Sequence, residues 1–149
     1  MNLCLEFCVA FFATAAFAVL FNVPKKQWIF AGITGGIGWI FYQIFLHLIG
    51  TVIATFVAVL VITLLSRSFA VIRKAPVTVF LISGIFPLVP GVGIYYTAYY
   101  FIMNNLSLAG EKGIETIKIA IAIALGIMFI LSIPEKCFHF LHNKRVCNQ

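Results

Sequence analysis

The segment 76–105, PVTVFLISGIFPLVPGVGIYYTAYYFIMNN, is apolar enough to lie in lipid, yet Pro87, Pro90, Gly91 and Gly93 stand in its middle. Proline has no N–H, so Pro87 and Pro90 cannot donate to the carbonyls of Ser83 and Phe86, and each disfavours α geometry at the preceding residue, Phe86 or Val89. A helix here is expected to break. Lipid offers no partner to the backbone groups that a break exposes, so the break persists only where protein buries it or where it lines a watery cavity. Length points the same way: residues 77–103 as one helix would reach about 40 Å, against a hydrocarbon core of about 30 Å. The reading is two half-helices, 77–85 and 91–103, joined by an irregular turn; a tilted, kinked full helix is the competing form.

With 63% hydrophobic and 9% charged residues among 149, the chain lacks the polar surface a soluble domain of this size needs. Further apolar runs cover 3–21, 28–48, 51–65 and 114–133. The fold class is therefore an all-α integral membrane protein of about five transmembrane helices, the fourth broken at Pro87/Pro90. Residues 1–133 form one transmembrane domain, and 134–149 a short basic tail. Of the ten basic residues, Lys25, Lys26, Arg67, Arg73, Lys74, Lys136, Lys144 and Arg145 fall on one side of this arrangement, leaving Lys112 and Lys118 on the other. Cytoplasmic loops carry the Lys/Arg excess, so the N-terminus is expected outside, and the loop 66–75 and the tail inside. Topology accounts for the net charge of +6 without nucleic acid; a polybasic surface for lipid headgroups is the alternative.

The first run is a retained span rather than a secretory signal, because Glu6 precedes it and its lysines follow it. Ala10, Thr14 and Ala18 form a stripe of small residues on it, Gly32 and Gly36 form a G-x-x-x-G pair on the second span, and Ala120, Ala122, Ala124 and Gly126 repeat the theme on the last. Thr55 and Thr63 are expected to bond back to their own helix. Cys4, Cys8, Cys137 and Cys147 do not form a disulfide framework, and Cys137, His139, His142 and Cys147 match no zinc spacing. No cofactor or metal is expected. Aspartate is absent, and Glu6, Glu111, Glu115 and Glu135 all fall at span ends, which removes both an acid pair for proteolysis and an intramembrane proton relay. An enzyme is not expected.

The break itself supplies chemistry. With Pro90 at the first helical position, the N–H groups of Gly91, Val92, Gly93 and Ile94 lack intrahelical acceptors and lie at the positive end of a helix dipole, which suits a carboxylate. Glycines at 84, 91 and 93 would let a solute approach the backbone. Gly93, Thr97, Tyr100 and Asn104 share one helical face, and Tyr96 is placed evenly between packing and solute contact. The expected solute site is Gly84, Pro87, Pro90, Gly91, Gly93, Tyr96, Thr97 and Tyr100. Broken helices that hold substrate at mid-depth recur in secondary transporters.

The run Pro76-Val77-Thr78-Val79-Phe80, followed by Gly84-Ile85-Phe86-Pro87-Leu88-Val89-Pro90-Gly91, resembles the signature of the threonine/serine exporter (ThrE-like) family, specifically its small five-helix membrane component. The likeness extends to Phe21-Asn22-Val23-Pro24-Lys25 and the region 113–126. It implies export of threonine and serine, or of dicarboxylates such as succinate in two-chain forms, across the bacterial inner membrane. Single-chain members resemble a fusion of a soluble region and further spans to the part seen here. A larger membrane subunit of the same family is therefore the implied partner, with a homo-oligomer as a further option. A membrane scaffold that only stabilises such a partner is the reading from a different class.

Overall fold

The computed structural model describes residues 3–133. Among them are six helices and no strand: α1 (Leu3–Leu20), α2 (Trp28–Ile49), α3 (Thr51–Arg73), α4 (Val77–Ile85), α5 (Gly91–Ile102) and α6 (Leu106–Leu131). Single turns of 3-10 helix occupy Lys25–Gln27 and Phe86–Leu88. By length and composition α1, α2, α3 and α6 can each cross a membrane, and α4 and α5 make a further apolar segment bent by 48° at the break. The chain is an all-α membrane protein whose fourth apolar segment is interrupted where the prolines require it. The tail 134–149, with Cys137, His139, His142 and Cys147, lies outside the described residues.

α1 and α2 pack as a close hairpin. The buried face of α1 is the stripe Ala10, Thr14 and Ala18. A β-carbon on Gly32 or Gly36 of α2 would lie 2.7 Å from the ring of Phe11 or Phe7. These small-residue faces are packed inside the chain. On α6, Ala122 and Gly126 are buried, Gly126 against Val59 of α3, while Ala120 and Ala124 remain exposed. Thr14, Thr55 and Thr63 donate to the carbonyls of Ala10, Thr51 and Val59, 2.8 Å each.

Two helices run beyond their apolar sequence. The expected loop 66–75 is mostly helix: α3 continues to Arg73 and closes at Lys74, which is left-handed (φ 50°), with Ala75 N–H bonded to Ala70 O at 3.1 Å. Pro76 then prevents resumption. Ser66 and Arg67 tolerate burial because both are bonded. The Ser66 hydroxyl donates to Ile62 O at 2.7 Å, and Arg67 Nη1 donates to Ile130 O and Ile133 O, 2.6 Å each, at the end of α6. A guanidinium at a helix C-terminus also meets the negative end of its dipole. α6 in turn starts at Leu106, eight residues before the apolar run, with the Asn105 side chain capping Leu108 N–H at 3.3 Å.

α4 sits against α2 and α3, with Phe80 fully buried near Ala18, Ala31 and Ala70. α6 rests on α3, and α5 packs on α6 with none of its own residues buried. The α5–α6 hairpin is thus hung on the α1–α4 body through α3 and through the break.

Candidate functional site

The break is anchored from both sides. Phe86 packs against Phe17 of α1, ring centroids 4.1 Å apart and planes tilted by 38°, and Leu88 is buried with Ala58, Val59, Ile62 and Leu81. Val89 N–H reaches back to Phe86 O at 3.2 Å, so that carbonyl is satisfied despite the missing donor at Pro90. Val89 is extended (ψ 129°), and Pro90 is the N-cap of α5 rather than its first helical residue.

That one-residue shift changes the donor set. Ile94 N–H bonds to Pro90 O at 3.1 Å, and Gly91 N–H folds back on Val89 O at 2.7 Å. Of the four N–H groups expected to be free, Val92 and Gly93 alone have no acceptor among the described residues. Both residues line a cleft of about 480 Å³ between α5 and α6.

The cleft gathers Pro90, Gly93, Tyr96 and Tyr100 from the expected site, and adds Val92 of α5 and Lys112, Glu115, Thr116 and Ile119 of α6. The other expected residues lie elsewhere, each for a packing reason. Gly84 is buried, and a β-carbon there would lie 3.1 Å from Ile62 Cγ2 and 3.2 Å from Thr34 Cγ2. Its missing side chain lets α4 approach α2 and α3 closely. Pro87 stays in the 3-10 turn, and Gly91 faces open space. Thr97 bonds its hydroxyl to Gly93 O at 2.7 Å and turns its methyl toward Gly113, while Asn104 forms the left-handed turn into α6 (φ 60°).

Across the cleft, Lys112 Nζ pairs with Glu115 Oε2 at 3.2 Å, both side chains partly exposed. The Thr116 hydroxyl donates to Lys112 O at 2.7 Å and sits directly over Gly93. The sequence does not single out these α6 residues, because an apolar run that begins at Ile114 leaves Lys112 and Glu115 at its edge. Their spacing with Thr116 and Ile119, at three and four residues, is the signal that they share one face. Glu115 therefore stands in the third turn of a spanning helix, and Glu6 Oε2 is buried in α1 without a donor. Glu6 lies in the first turn of α1.

The cleft has the Val92 and Gly93 backbone on its α5 wall and the Lys112–Glu115 ion pair on its α6 wall, with two tyrosines and a threonine also lining it. No curated protein and no solved structure matches the chain. The threonine/serine exporter (ThrE) family profile matches residues 6–133, most of the chain and all but the first turn of the helices just described. With that match over the whole helical body, the chain belongs to the threonine/serine exporter family.

Proposed function

We propose that this protein is the membrane subunit of a secondary exporter for threonine and serine, that it works with a larger subunit, and that the α5–α6 cleft holds the solute. The carrying observation is the pairing of opposite charges in a cleft beside a broken helix. The Val92 and Gly93 N–H groups and the Lys112 ammonium suit a carboxylate, and Glu115 suits an α-ammonium. The hydroxyls of Tyr96, Tyr100 and Thr116 suit a hydroxylated side chain. A dicarboxylate such as succinate fits this set less well, because its second carboxylate would meet Glu115. The uncovered α5, without a single buried residue, supports a covering subunit. The Lys/Arg excess on one side of the spans supports an N-terminus outside in a bacterial inner membrane.

The test is efflux of threonine, serine and succinate from cells expressing this chain, its candidate partner, or both. Threonine and serine efflux should need both chains. Efflux from this chain alone would sink the two-subunit reading, and efflux from the partner alone would make this chain a scaffold.

A further inference from the structure

On the side of α6 that faces α3, an apolar groove of about 340 Å³ is lined by Val52, Ile53 and Phe56 of α3 and by Ile121, Ala122 and Leu125 of α6. Lys118 stands on the same groove. The groove continues toward the end of α6 into a second one of about 660 Å³ that shares Phe56 and Leu125. Lys118 differs from Lys112: it is exposed and makes no ion pair among the described residues, since the nearby Glu115 is taken by Lys112. A cation on the lipid-facing side of a spanning helix must reach the interface or meet an anion there.

We infer that the α3–α6 groove binds an anionic phospholipid, with one acyl chain between the helices and the phosphate on Lys118. The dimensions agree. Lys118 to Leu125 covers about 10 Å along α6, and one leaflet contributes about 15 Å of hydrocarbon, so a headgroup held at Lys118 puts its chain along the first groove. The charge decides between occupants. An apolar helix laid in this groove would strip water from Lys118 and return no counter-charge, at a large desolvation cost. A phosphate supplies that charge while its chain fills the apolar wall. Lysine close to an anionic lipid surface gains attraction that a neutral side chain does not.

The test uses the full chain in detergent, with added phosphatidylglycerol or phosphatidylcholine, and counts retained lipid by native mass spectrometry. Phosphatidylglycerol should be retained in preference to phosphatidylcholine, and Lys118→Gln should lower its retention about fivefold. Ile121→Trp, at an exposed position where added bulk fills the groove without disturbing the core, should abolish retention of either lipid. Equal retention of the two lipids, indifference to both groove variants, or a protein chain rather than lipid recovered on the groove would each overturn the inference.

Discussion

Gly93 of α5 and Thr116 of α6 meet so closely that a β-carbon on the glycine would fall on the threonine hydroxyl. This contact sets how near the two helices lie, and therefore how the Val92 and Gly93 N–H groups stand to Lys112 and Glu115. Gly93→Ala should destabilise the protein by about 1–3 kcal/mol through overpacking. Thr116→Ala should suppress that loss, because the Thr116 β-carbon would then lie 3.4 Å from the new methyl, an ordinary contact. Thermal unfolding of the two single variants and the double variant in detergent checks the coupling. Additive losses would mean the helices do not meet here.

Gly91, two residues away, provides the contrast. Nothing lies within 4 Å of the place its β-carbon would occupy. Gly91→Ala should therefore change stability by no more than about 1 kcal/mol, and any change should be in the favourable direction, as alanine is the better helix former. A loss comparable to that of Gly93→Ala would show that α5 is covered by a neighbour at this point.

Arg67 joins α3 to the end of α6 through the carbonyls of Ile130 and Ile133. Arg67→Met keeps bulk but removes the donors, so those carbonyls lose a charged partner and stability should fall by about 3 kcal/mol. Arg67→Lys should recover part of it. Hydrogen exchange localises the effect: faster exchange is expected in the last turns of α6, with α1 and α2 unchanged.

Exposed ion pairs contribute little to stability, so Glu115→Gln should fold normally. Its effect belongs to transport. The threonine KM should rise about tenfold, the loss of roughly 1.4 kcal/mol of solute attraction, while succinate should be handled better than by the wild type. Efflux kinetics for the two solutes, measured side by side, decide this; a parallel fall in both would point to a structural role.

The break in the fourth apolar segment was legible because two prolines act locally, and the helix ends at Ile85 and Gly91 follow from them. The buried face of α1 was legible for a similar reason, since Ala10, Thr14 and Ala18 recur at helical spacing. Arg67 was not legible. Its burial depends on carbonyls 63 and 66 residues away, and nothing near it in sequence announces them. The cleft was half legible. Its α5 wall comes from the break, but its α6 wall depends on Asn105 starting a helix well before the apolar run begins. Whether Pro90 caps α5 or enters it turns on one backbone angle, a ψ of 55°, which sets how many N–H groups remain free.

The cleft as the solute site is tested most directly by protection of a cysteine placed inside it. Val92 lines the cleft and is 71% exposed, so Val92→Cys, with Cys4, Cys8 and the other native cysteines replaced by serine, should react readily with a maleimide in membranes that also hold the partner subunit. Saturating threonine should slow that reaction about tenfold or more, and alanine-sized solutes without a hydroxyl should slow it less. A labelling rate that does not respond to threonine, in membranes shown to export it, would contradict the account.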